Sequence, residues 1–129
     1  MESAIIDSSA WAEYFQGSKK GVKTRNILKE DWLFYTVECS LAEIKDWCLR
    51  HGENFDDLYP IIKSNSTIIP VFTQDWLDAA WERFEKRKII GNFGLLDAIL
   101  LSKQKQMKCK IIASDNHFRT LKDIIFIGD

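Results

Sequence analysis

Apolar and polar positions along the chain follow two rhythms that hand over to one another several times. Residues 3–6 form a short apolar run closed by Asp7, and Ser8-Ser9 then offer cap oxygens to a helix carrying Ala10, Trp11, Tyr14 and Phe15. Gly17-Ser18 ends that helix, and residues 22–29 predict a second, short one in a basic setting. Residues 32–37 are aromatic and β-branched, which suits a buried strand. From Val37 the spacing becomes helical through Leu41, Ile44 and Cys48, predicting a helix to about Arg50 that stops near Gly52.

Phe55, Leu58, Ile61 and Ile62 predict another helix despite Pro60. Residues 67–72 read as a third strand; Pro70 has no N–H to give, so this strand is expected at an edge or to end early. Thr73 is a candidate cap for a helix with Asp75 in its first turn and an apolar stripe of Trp76, Leu77, Ala80, Trp81 and Phe84. After the break at residues 91–94, a helix is expected from Leu95 to about Met107. Strands follow at residues 109–113, ending at Ser114-Asp115, and at residues 124–127. Strands alternating with helices predict an α/β fold: a three-layer α/β/α sandwich around a central, mostly parallel sheet of about five strands.

At 129 residues the chain is expected to form a single domain, and an apolar fraction of 46% supplies its core. The three cysteines, Cys39, Cys48 and Cys109, lack C-x-x-C spacing, which argues against a disulfide framework or zinc site and for a reducing cytoplasm. No apolar run approaches the roughly 20 residues that span a bilayer, and the first residues lack a signal peptide's basic start, so no membrane association is expected. The net charge of −1 gives no sign of nucleic-acid binding. Its distribution says more, because basic residues cluster at Lys19, Lys20, Lys23 and Arg25, at Lys86-Arg87-Lys88, and at Lys103, Lys105, Lys108 and Lys110. Each cluster is either a phosphate-facing patch or a solvated helix face.

The candidate chemistry lies in three aspartates. Sites in open α/β sheets form beyond the carboxyl ends of strands, where helices begin. Asp7 and Asp115 end strands there, and Asp97 opens a helix. Convergence would be costly: two carboxylates about 5 Å apart repel by roughly 3 kcal/mol at an effective dielectric near 20. A divalent cation removes that cost, and oxygen-only ligation suits Mg²⁺ or Mn²⁺ over zinc. Such a cluster can activate water for in-line attack on a phosphodiester. Each acid alone has a simpler account, as a helix-dipole partner or a turn former; the repeated strand-to-helix placement favours the site. The histidines, His51 and His117, follow no nucleophile motif.

Four segments together resemble the PIN-domain family, and within it the VapC-type toxin ribonucleases. They are Ile5-Ile6-Asp7-Ser8-Ser9-Ala10-Trp11, Ser40-Leu41-Ala42-Glu43-Ile44, Phe93-Gly94-Leu95-Leu96-Asp97-Ala98-Ile99-Leu100, and Ile112-Ala113-Ser114-Asp115-Asn116-His117-Phe118. The resemblance implies an acidic quartet of Asp7, Glu43, Asp97 and Asp115 with the Ser8 hydroxyl beside it. It further implies Mg²⁺ or Mn²⁺ as cofactor, with Asp7 and Asp97 holding the principal ion, RNA as substrate, a homodimer, and a small antitoxin protein as partner. Helical spacing by itself leaves Glu38 and Glu43 as equal flank positions, and only the resemblance selects Glu43. Where many relatives carry further charges this chain has Asn116-His117, and His117 is expected to pack beside Phe118.

Three alternatives stay open. A housekeeping RNA-processing nuclease would share these features, and so would an inactive PIN-like module that binds RNA or protein. A receiver-like phosphoacceptor domain also sets acids at strand ends, but here Ser8 follows Asp7 and Thr73-Gln74 follows the third strand.

Overall fold

The computed structural model describes residues 1–129. Its elements in chain order are β1 (Ser3–Ile6), α1 (Ser8–Gln16), α2 (Lys19–Leu28), β2 (Leu33–Val37), α3 (Glu38–His51), α4 (Phe55–Asn65), β3 (Thr67–Ile69), α5 (Thr73–Lys86), α6 (Leu95–Met107), β4 (Lys110–Ala113), a 3₁₀ turn (Asn116–Phe118) and β5 (Ile124–Phe126). The strands form one sheet in the order β3-β2-β1-β4-β5, and every pairing is parallel. The strand order reverses at β1, so the crevice between β1 and β4 is the topological switch point where such sheets build sites.

Both faces of the sheet are covered, which is why its strands read as unbroken apolar runs. Ala4 and Ile6 of β1 and Ile112 of β4 point into a core shared with Trp11, Ile44, Cys48 and Ile62 of α1, α3 and α4. Ile5, Ile111 and Ala113 point the other way, against Ala79 of α5 and Ala98, Ile99 and Leu101 of α6. Trp11 is fully buried, and its indole N–H donates to Thr36 Oγ1 at 3.1 Å, which satisfies the one polar atom of its ring.

Several boundaries differ from the sequence reading for local reasons. Asp7, not Ser8 or Ser9, caps α1: its side chain accepts from the Ser9 N–H, and both serines lie inside the helix. The second helix begins at Lys19, three residues earlier than residue 22, because Ser18 caps it by accepting from Gly21 N–H. Gly21 is also where α2 crosses α1; a Cβ there would stand 2.0 Å from the Glu13 carbonyl oxygen. Strand β3 is only Thr67–Ile69 and lies at the sheet edge, as the missing N–H of Pro70 demands.

Helix α5 departs furthest from expectation. The stripe of Trp76, Leu77, Ala80, Trp81 and Phe84 faces outward, and the side turned to the protein carries Asp75, Ala79 and Glu82. A polar seam joins α5 to α6. Asp75 pairs with Lys103 at 2.7 Å, and the two side chains are 5% and 6% exposed. Gln106 donates to Asp75 Oδ1 at 2.6 Å, and Glu82 pairs with Lys105 and with Lys86. Thr73 does not cap this helix; Asp75 accepts from the Phe72 N–H at 2.7 Å instead.

Candidate functional site

Asp7 leaves the carboxyl end of β1 and stays 5% exposed, beneath the start of α1. Its Oδ2 accepts from the Ser9 backbone N–H at 3.2 Å and from the Ser9 hydroxyl at 2.5 Å. The same hydroxyl oxygen accepts from Ser114 N–H at 3.0 Å and Asp115 N–H at 3.2 Å. Ser9 therefore ties the end of β1 to the end of β4 across the switch point. The family resemblance selects Ser8, and Ser9 reads from the sequence only as a cap residue; no periodicity distinguishes the two.

Asp97 is the third residue of α6, and its Oδ2 accepts from the Gly94 N–H at 3.0 Å, closing the first turn. That local bond aims the carboxylate towards the crevice. Asp115 caps the 3₁₀ turn, its Oδ1 accepting from His117 N–H at 2.8 Å. His117 Nδ1 lies 2.8 Å from Asp97 Oδ2 and 3.6 Å from Asp115 Oδ1, and one donor atom from each of the three residues falls within 4.8 Å of the others. The ring sits beside Phe93, with centroids 6.1 Å apart, while Phe118 is buried beneath. Thus His117 does more than pack against a neighbouring aromatic residue.

The structure also separates the two flank glutamates of α3. Glu38 accepts from Val71 N–H at 2.7 Å and so serves the chain beyond β3. Glu43 accepts from the Ser8 hydroxyl at 3.3 Å and faces the aspartates.

The carboxylates feel one another. Burial pushes the Asp7 carboxyl up to about 6, against the Ser9 hydrogen bonds, with further upward pressure from Asp97 and Asp115. Glu43 is pushed up to about 7, first by burial and then by the charges of Asp7 and Asp97. Four segments spread over the sequence thus deliver acids into a single electrostatic neighbourhood. Such a set fits a hard divalent cation, because oxygen donors already in mutual repulsion relax when a positive charge enters. Cys39 shares this surrounding, and burial together with Glu43 raises its thiol to about 12, which removes it as a nucleophile.

Beside Ser8 and Glu43 a groove of about 450 Å³ opens, lined also by Asp46, Trp47 and Arg50. A larger cavity of about 690 Å³ lies at the other pole of the sheet, among the amino ends of β1 and β4, and holds Lys86, Lys105, Lys108, Lys110 and Lys122. Two of the sequence's basic clusters meet there, away from the acids. Lys103 leaves its cluster altogether, being buried against Asp75.

No family model matches the chain, and no curated protein matches it in sequence. Solved structures do match over nearly the whole length. VapC20 of Mycobacterium tuberculosis, a sarcin-ricin loop cleaving toxin, aligns with a TM-score of 0.73 at 16% identity, covering 93% of this chain and 95% of that one. VapBC2 of Rickettsia felis, bound to a promoter DNA fragment, aligns at 0.69 and 15% identity over 96% of both chains. A toxin–antitoxin complex from Klebsiella pneumoniae aligns at 0.69 and 14% identity over 98% of both. The fold is that of the VapC toxins. The VapC-type, PIN-like sheet expected from the four sequence segments is therefore present, with its strands wholly rather than mostly parallel. No helix is long and apolar enough to cross a membrane.

Proposed function

We propose that the chain is a metal-dependent endoribonuclease, the toxin of a type II toxin–antitoxin pair, acting in the cytoplasm on RNA. The observation that carries this reading is the cluster of Asp97, Asp115 and His117 within 4.8 Å at the switch point of a VapC-type sheet, close enough to Asp7 and Glu43 for their charges to raise those two carboxyls. Their oxygens would hold Mg²⁺ or Mn²⁺, Asp7 and Asp97 foremost. When bound, such an ion lowers the pKa of water and offsets charge growing on a phosphodiester oxygen.

The chain's own groups do the remaining work. Ser9 fixes Asp7 and the Asp115 backbone in one frame, so the two acids keep their separation as substrate arrives. The Ser8 hydroxyl holds Glu43 towards the pocket. Glu43, turned that way by Ser8, would hold the ion directly or through a water. In the adjoining groove Arg50, paired with Asp46 at 3.0 Å, would exchange that partner for a phosphate of an RNA strand. A small antitoxin would act by covering this groove. A homodimer is in keeping with the outward apolar face of α5.

Cleavage of a labelled RNA by the purified protein with Mn²⁺, with Mg²⁺ and with chelator tests the reading. We expect metal-dependent cleavage that Asp97→Asn abolishes while leaving the fold intact. Full metal-dependent activity in that variant would overturn the assignment.

A further inference from the structure

His117 is the one nitrogen donor among the clustered acids, and it has no place in an all-oxygen metal site. Three features fix its ring there. The backbone N–H of His117 donates to Asp115, the next residue, Phe118, is fully buried, and the ring leans on Phe93. The nitrogen turned inward is Nδ1, 2.8 Å from Asp97 Oδ2 and 3.6 Å from Asp115 Oδ1. Adjacent ligands of an octahedral ion with bonds near 2.1 Å stand roughly 3 Å apart; the separation from Asp97 meets that spacing, and Asp115 lies somewhat beyond it. With no ion present Nδ1 can carry a proton and donate it to Asp97; a cation would take that proton's place.

We infer that His117 Nδ1 is a metal ligand together with Asp97 and Asp115, and that it biases the site towards Mn²⁺ and against Mg²⁺. The chemistry follows from the donor. Imidazole nitrogen binds Mg²⁺ weakly because that ion is hard and gives up water reluctantly, whereas first-row ions gain from a nitrogen in place of an oxygen. The oxygen-only ligation expected from the sequence is thereby replaced by a mixed set. This inference rests on the metal-dependent reading above and refines which ion that reading requires.

Calorimetric titration of the purified, chelator-treated chain with Mn²⁺ and with Mg²⁺ reads the two affinities without reference to cleavage. Pulsed electron paramagnetic resonance of the Mn²⁺-loaded protein reads any directly bound ¹⁴N. We expect a nitrogen coupling that survives His51→Asn and disappears in His117→Asn. That second variant should weaken Mn²⁺ roughly tenfold and Mg²⁺ by about threefold or less. His117→Asp supplies an oxygen at the same position; it should bind both ions, without the coupling and with a reduced preference for Mn²⁺. Mn²⁺ binding with no histidine coupling, or an unchanged ion preference in His117→Asn, would overturn the ligand assignment and leave the nuclease reading standing. Failure of the wild-type protein to bind either ion would overturn both.

Discussion

At the scale of single residues, the acidic pocket is held by a hydroxyl. Ser9 Oγ donates to Asp7 and accepts two backbone N–H groups from the far side of the crevice. Ser9→Ala strands these partners, and each unsatisfied buried group costs about 1–3 kcal/mol. We expect a clear fall in the urea midpoint, against a much smaller one for Ser8→Ala, which loses a single 3.3 Å contact. The acids themselves set a pH dependence. Asp7, near 6, and Glu43, near 7, hold their protons more tightly folded than unfolded. The folded state therefore binds more protons between about pH 4 and 7, and stability falls as pH rises through that window. Asp7 alone accounts for about 3 kcal/mol of this loss. Thermal unfolding of chelator-treated protein should show a higher midpoint at pH 5 than at pH 8; Asp7→Asn should narrow the difference, and Mn²⁺ should raise the midpoint at pH 8.

At the scale of elements, the α5–α6 contact is built from charge. Burial raises the Asp75 carboxyl, but hydrogen bonds from Lys103, the Phe72 N–H and Gln106 bring it below its ordinary value. Removing one member of a buried pair leaves the other uncompensated, at a cost of about 3–5 kcal/mol. Lys103→Met should thus destabilise strongly in chemical unfolding, and the double variant Asp75→Asn, Lys103→Met should recover most of the loss. This seam also marks where the sequence stopped being legible. The strands were readable because burial on both faces leaves runs such as Ala4-Ile5-Ile6 and Ile111-Ile112-Ala113 with no polar interruption. The wheel of α5 pointed the wrong way, since Asp75 and Glu82 lie buried against lysines of α6 that no local pattern connects to them. Within the pocket, Asp7, Asp97 and Asp115 could be placed from strand ends. Ser9 and His117 could not, because their partners lie 105 and 20 residues away.

At the scale of the molecule, the outward face of α5 is the largest departure from a closed surface. Trp81 and Phe84 are 63% and 62% exposed, with Phe72, Trp76 and Leu77 beside them. Together they present apolar area on the order of 500 Å². A stable association buries about 800 Å² per partner, rather more than half of it apolar, so one such face meeting its copy suffices. Trp81→Glu should turn a dimer into a monomer in sedimentation velocity while leaving the circular dichroism unchanged; a wild-type chain already monomeric at high concentration would remove the homodimer from the proposal.

The bond from Ser114 to Ser9 spans 105 residues, and β1 pairs with β4 across a similar distance along the chain. Loop closure of that length comes late in folding. During synthesis, the first strand and its aspartate must wait for almost the entire polypeptide to emerge before their counterpart exists. A product cut short before Lys110 would consequently lack β4 and Asp115, and with them one whole wall of the crevice.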